Sequence, residues 1–285
     1  MNEDSQYLLK IARQVAKTYG AHPQAKAAMV TGSVAEGMCD RYSDIDMSIY
    51  YEKLPSQEEL ETARQQNQGS ERIWILGDRN QGGFAEAYFV NGVECQVGHV
   101  TIATWERDMA TVLEQLDITS WVQKALSGLL ICIPLHGEEL IQKWKTEAAN
   151  YPDALARATI EKHLQFFSIW GLPADYFITR DATLFKYQIL VEAAQNILGV
   201  LAGLNRLYYS TFQFKRMSRF IEQMNIAPKN LSARLDNLFH AQSPTTANQL
   251  KEIVQEIVNL VELHVPQIDT SQVRQKLARH KQAWQ

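Results

Sequence analysis

The sequence predicts an α+β protein, a mixed-sheet core followed by an α-helical bundle domain. Three observations carry that expectation. Helix-period and strand-period segments alternate up to Val100, almost everything after it has helical periodicity, and a favoured two-residue hairpin turn, Asn91-Gly92, interrupts the last strand-like stretch. The hairpin places antiparallel pairs beside the parallel ones that helix-strand alternation implies, so the sheet is expected to be mixed. At 285 residues with 46% hydrophobic and 21% charged side chains, the chain is long enough for two domains with cores of their own. We place them at residues 1–135 and 136–285, with the boundary in the stretch from Pro134 to Tyr151.

Taken in order, Tyr7 to Tyr19 is an amphipathic helix, Ala27 to Thr31 a short buried strand, and Ile45 to Tyr51 a strand that ends before Leu54-Pro55. Ile73 to Leu76 and Ala87 to Val100 supply the remaining strands. Helices follow at Thr104 to Leu116, Trp121 to Leu130 and Glu138 to Ala149. Pro152, Pro173, Pro228, Pro244 and Pro266 fall between later helical segments, where proline ends a helix or opens its first turn. Trp74, Trp105, Trp121, Trp144 and Trp170 occupy apolar positions of periodic segments and read as core anchors. Two amphipathic terminal helices, Gln249 to Val265 and Ser271 to Ala283, are suited either to packing within the domain or to a homodimer seam.

Charge excludes one class of partner. With 28 basic and 32 acidic residues the formal charge is −4, and no overall positive field exists to hold DNA by its phosphates. Cys39, Cys95 and Cys132 are odd in number and widely spaced, which fits buried thiols in a reducing compartment. The acidic, polar N-terminus lacks the basic start and apolar stretch of an export signal, and the longest apolar runs fall short of the ~20 residues that cross a bilayer. A cytoplasmic protein without a membrane partner is the expectation.

Chemistry concentrates in residues 30–50. A strand runs into Gly32-Ser33, a short helix, a turn and a second strand. Gly32 removes a side chain where backbone must approach a ligand, the amides that follow point outward as anion donors, and the Ser33 hydroxyl adds another. Asp44 and Asp46, two residues apart on a strand, share one face while Ile45 points to the core. Two neighbouring carboxylates repel unless a cation lies between them, and Mg²⁺ is the usual partner where substrate phosphates complete its shell. Ser43 is placed to orient the first carboxylate.

This segment resembles the Gly-Ser and Asp-x-Asp signature of the DNA polymerase β-like nucleotidyltransferase superfamily, in the branch of small antibiotic nucleotidyltransferases, over roughly residues 25 to 125. The resemblance implies two Mg²⁺ ions held by three carboxylates, which align a nucleoside triphosphate for attack by an acceptor hydroxyl, with pyrophosphate leaving. Gly32 and Ser33 would hold the β/γ-phosphates, and Asp44 and Asp46 the metal. The default it implies is AMP from ATP onto a small molecule.

The resemblance also asks for a third acid on a later strand, in Gly92 to His99. Glu94 and Gln96 share one face there, with Val93, Cys95 and Val97 on the other. If Glu94 aligns, it is the third metal ligand or the base. If Gln96 aligns, the acid is lost and catalysis is poor, because an amide binds metal weakly and takes no proton. Glu86 is a further candidate, and His99 reads as a packed histidine.

In the helical half, Glu192, Asn196, Gly199 and Gly203 lie along one helical face, which suits close helix packing or a ligand. His163 belongs either to the core or to a pocket. Arg206 and Lys215 are the cations expected to meet the phosphates, since charge developing on pyrophosphate needs positive partners. Two alternatives stand beside small-molecule transfer: a toxin-like transferase acting on protein or RNA, and a nucleotide-binding regulatory protein that has lost the third acid.

Overall fold

The computed structural model describes residues 1–169, 183–240 and 243–278. Trp170, Pro173 and the end of the last amphipathic helix lie outside them. The architecture is α+β, built as two compact units: Met1–Gln115 with Ala125–Asn150, and Leu116–Lys124 with Tyr151–Gln285.

The first unit opens with α1 (Glu3–Gly20), capped by the Asn2 side chain, which accepts from the Ser5 amide, and by Glu3 and Asp4 in its first turn. Its buried stripe of Leu8, Ile11, Ala12, Val15 and Tyr19 recurs at the helical period and lies on the sheet. There follow β1 (Ala25–Val30), α2 (Gly32–Glu36), β2 (Ile45–Tyr51), α3 (Gln57–Gln66) with its Ser56–Glu59 capping box, and β3 (Trp74–Asp78). The hairpin is β4 (Gly83–Val90) and β5 (Val93–Thr101), turning at Asn91 and Gly92 with φ of 51° and 80°. Next come α4 (Ile102–Leu113), α5 (Val122–Ile131), β6 (Ile133–His136) and α6 (Glu138–Ala149).

The six strands lie in the order β3-β4-β5-β2-β1-β6. Only β2 and β5 run parallel; the other neighbours are antiparallel, so the sheet is mixed as expected. Period-two alternation gives it two faces. Ile45, Met47, Ile49, Cys95 and Val97 turn toward the core under α1, and Asp46 and Gln96 turn the other way. The sequence boundary at 135/136 assigns α6 to the helical half. The structure keeps it in the first unit, where Ile141, Trp144 and Ala148 are buried and the Trp144 ring packs on Tyr50 and Trp105.

The second unit is helical: α7 (Asp153–Ile169), α8 (Thr183–Leu204), α9 (Met217–Glu222), α10 (Leu231–His240), α11 (Ser243–His264) and α12 (Ser271–Ala278). Its core runs from Ile160 and Leu164 through the C-terminal half of α8 to Leu250, Ile257, Val261 and Leu277. The terminal amphipathic helices thus pack within the unit. By length and composition α8 is long and apolar enough to cross a bilayer, longer than the apolar runs picked out by the sequence, and two thirds of its apolar window is buried in this core. Gly199 and Gly203 serve packing. A Cβ on Gly199 would enter the His163 ring, and one on Gly203 would lie 2.7 Å from Ile160 Cγ1. Trp105 and Trp144 are core anchors, and Trp74 is half-buried. Trp121 departs from expectation: it is exposed, one residue before α5 begins.

Candidate functional site

Gly32 leads the chain from β1 into α2 with φ of 59°, a left-handed conformation that costs any residue with a Cβ. The structural reason is Asp46. A Cβ on Gly32 would overlap Asp46 Oδ2 and lie 3.2 Å from Asp46 Cγ, so the loop backbone passes directly over that carboxylate. The crossing is pinned by the Thr31 amide, which donates to the Asp46 carbonyl at 2.8 Å. Ser33 follows on α2, and its hydroxyl accepts from the Cys39 thiol at 3.4 Å. At five residues, α2 contributes little dipole, so an anion here would rely on local amides and the Ser33 hydroxyl.

The turn before β2 is held by Asp40 and Ser43. Asp40 Oδ1 accepts from the Tyr42 amide at 2.9 Å and the Ser43 hydroxyl at 3.1 Å, while Ser43 Oγ accepts from the Asp40 amide at 3.0 Å. Ser43 therefore shapes the turn that delivers Asp44, a different role from orienting the Asp44 carboxylate. Tyr42 is displayed to solvent at the tip of this turn.

Register decides the third position. In the parallel β2–β5 pair, Ile45 lies opposite Cys95 and Asp46 opposite Gln96. Gln96 Nε2 donates to Asp44 Oδ2 at 2.8 Å and to Glu94 Oε1 at 3.1 Å. Asp44, Asp46, Glu94 and Gln96 thus share one patch, with a primary-amide nitrogen standing between two carboxylate oxygens. That nitrogen carries partial positive charge and relieves the repulsion that a cation would otherwise relieve. Behind the row, burial pushes the Cys95 thiol up to about 12, with Glu94 adding to the shift, so Cys95 stays a neutral, inert thiol. All three cysteines are buried and free, as expected.

Glu86 is on the wrong face to be the third acid. It pairs with Val97, within the core layer, and is held by Arg72 Nε at 2.7 Å and Arg64 Nη1 at 3.4 Å, with His99 Nε2 3.4 Å from its other oxygen. Burial by itself would raise the Glu86 carboxyl, and His99 and Arg72 more than offset it, leaving it below its ordinary value. Burial lowers His99 despite Glu86 beside it, and Tyr51 Oη lies 3.0 Å from its Nδ1. The packed-histidine reading of His99 matches this geometry. A buried acid with two arginines was not visible in the sequence, since Arg64 and Arg72 come from a helix and a loop that reach Glu86 only in the fold.

In the second unit, Arg206 adopts φ of 53° and pairs with Asp153 Oδ1 at 2.5 Å, both side chains well exposed. Lys215 Nζ lies 5.6 Å from the Phe212 ring centroid, and Lys124 Nζ lies 3.9 Å from the same ring. His163 is half-buried beside Tyr209. Its Nδ1 is 2.9 Å from Asn196 Oδ1, and burial lowers its pKa.

Among the described residues no three His, Cys, Asp or Glu side chains are grouped to hold a metal. Asp44 and Asp46 could supply two ligands to one Mg²⁺, leaving the rest of its shell to other oxygens. A second ion would need an acid at the place that register gives to Gln96.

No family model matches the chain, and no curated protein matches it. Among solved structures it is similar to a nucleotidyltransferase-like protein from Exiguobacterium sibiricum 255-15, with a TM-score of 0.34 and 10% identity, covering 89% of this chain and 74% of that one.

Proposed function

We propose that the first unit binds a magnesium nucleoside triphosphate and transfers its nucleoside monophosphate to a hydroxyl of a small-molecule acceptor, with ATP the expected donor. The observation that carries this reading is the passage of the Gly32 backbone over the Asp46 carboxylate, which makes a phosphate-approachable loop and a metal-binding acid one site.

Asp44 and Asp46 would hold Mg²⁺, which supplies charge neutralisation along the triphosphate. The Ser33 hydroxyl and the neighbouring amides would bind terminal phosphate oxygens. Glu94, whose Oε1 is engaged only by the Gln96 amide among the hydrogen bonds described above, is the base: it takes the acceptor proton as the acceptor oxygen bonds to the α-phosphorus. The bond from that phosphorus to the bridging oxygen breaks, and pyrophosphate leaves with the electron pair. Gln96 fixes Asp44 and Glu94 relative to each other through one nitrogen.

A second reading, nucleotide binding without turnover, is favoured by Gln96 opposite Asp46. One experiment separates them: pyrophosphate release from labelled triphosphates with Mg²⁺ and a panel of hydroxyl-bearing acceptors, using wild type, Asp44→Asn, Glu94→Gln and Gln96→Glu. Acceptor-dependent release by wild type, lost in Asp44→Asn and cut about 10²-fold in Glu94→Gln, supports transfer. Triphosphate binding without release, with turnover gained in Gln96→Glu, supports the regulatory reading.

A further inference from the structure

At one end of the sheet, β3 pairs only with β4, and among the described residues no strand lies on its outer side. Such an edge presents a row of backbone donors and acceptors, and proteins normally blunt it with charge, bulges or cover. Here it is apolar. Ile75 and Leu76 on the strand are 53% and 72% exposed, and Ile73 and Phe89 beside it are also open to solvent.

The edge is complementary to its own reverse. Counting outward from Ile75, Trp74 matches Leu76, Ile73 matches Gly77, and Arg72 matches Asp78. Antiparallel pairing of two copies about a two-fold axis at Ile75 would therefore put apolar residues opposite one another at the centre. At each end it would bring an arginine level with an aspartate. Parallel pairing in the same register would set Arg72 against Arg72 and Asp78 against Asp78. Arg72 has charge to offer: its Nε is committed to Glu86, while its Nη2 lies 4.0 Å from Glu61, a loose surface pair. Gly77, with φ of 98°, has no side chain to set against the Ile73 that would face it, and a Cβ there would lie 3.0 Å from Phe84 Cα of β4.

We propose that β3 is the dimerisation edge of this protein, joining the sheets of two copies into one continuous twelve-stranded sheet through antiparallel β3–β3 pairing centred on Ile75. A two-fold contact of this kind is closed at this edge, because each copy uses its β3 edge once.

The test uses the full chain in sedimentation velocity over a concentration series, with Ile75→Lys and Ile75→Cys. Wild type is expected to sediment at twice the monomer mass. Ile75→Lys, which sets two ammonium groups against each other on the axis, is expected to weaken the dimer at least about 10²-fold while circular dichroism stays unchanged. Ile75→Cys under mild oxidation is expected to give a covalent dimer, since opposed residues of an antiparallel pair lie within disulfide reach. The native thiols are buried and do not compete. Leu263→Cys, on an exposed face of α11, is the control and should not cross-link. A wild-type monomer at every concentration, a dimer indifferent to Ile75→Lys, or cross-linking at Leu263→Cys in place of Ile75→Cys would each overturn the proposal.

Discussion

Replacing Gly32 with alanine tests whether loop and carboxylate form one site. Two costs are separable in the structure. A Cβ at φ of 59° costs about 1–2 kcal/mol wherever it occurs. The same Cβ would overlap Asp46 Oδ2 and lie 3.2 Å from Asp46 Cγ, so the carboxylate must move or the loop must lift, an overpacking cost of about 1–3 kcal/mol. Gly32→Ala is thus expected to destabilise the first unit by about 2–5 kcal/mol, the sum of those two ranges. In an Asp46→Ala background the overlap is absent, and the cost should fall to the backbone portion of about 1–2 kcal/mol. Hydrogen exchange of β1 and β2 amides reads the stability of this unit without the helical one. Calorimetric titration with Mg²⁺ and ATP should show binding weakened at least about tenfold in Gly32→Ala alone, a loss of about 1.4 kcal/mol. Equal costs in both backgrounds would mean that Gly32 serves only its own φ, and unchanged nucleotide binding would remove Gly32 from the site.

Gln96→Glu should destabilise the metal-free protein, because it replaces an amide donor to Asp44 and Glu94 with a third negative charge, and added Mg²⁺ should recover that loss in thermal melts. His99 has a depressed folded pKa, so its contribution is present above its unfolded value of about 6.5 and is lost as pH falls from there toward the folded value. Glu86 is depressed from the carboxylate value and adds a second loss on further acidification, below about pH 4.3. Urea midpoints of the first unit should therefore begin to drop as pH falls below about 6.5, and His99→Gln should flatten that first part of the curve and leave the lower part. Gly199→Ala should cost about 1–3 kcal/mol, because its Cβ would enter the His163 ring; His163→Ala in the same chain should restore part of it, read from the α7 and α8 amides.

How far the sequence foretold the molecule follows from the range of the interactions concerned. The strand Ile45 to Tyr51, the helix Glu138 to Ala149 and the turn at Asn91-Gly92 are set by local alternation, helical periodicity and backbone preference, and all lie where those signals put them. The strand β6 is four residues long, contains Pro134 and follows α5 almost at once, so no alternation of its own marks it as a strand. Its pairing with β1 supplies what its own sequence lacks. Trp121 misled because an aromatic beside a periodic run looks buried, while it stands one residue outside the helix.

The third position of the site shows the same limit in the place where function turns on it. Alternation alone puts Glu94 and Gln96 on one face and cannot rank them, since both satisfy the period of two. What ranks them is the parallel register of β2 against β5, fixed by a crossover of more than forty residues that packs Ile45, Met47 and Ile49 against the same core as Cys95 and Val97. A slip of two residues would keep every side chain on its own face and exchange Gln96 for Glu94 opposite Asp46. Shape resists that slip on both faces: on the site's face Gly98 stands opposite Ser48, where a Cβ would lie 3.3 Å from Ser48 Oγ, and on the core face His99 stands opposite Ile49 with its ring between Tyr51 and Phe84. The identity of the residue facing the aspartate pair is therefore a consequence of packing on both faces of the sheet, Gly98 against Ser48 on the site's own face and His99 on the other. Gly98→Val, on the same face as Gln96 and two residues along β5, should disturb the Asp44–Gln96 contact by pushing on Ser48. Amide nitrogen chemical shifts of the Gln96 side chain would report it, and a Gln96 signal unmoved by Gly98→Val would refute the coupling.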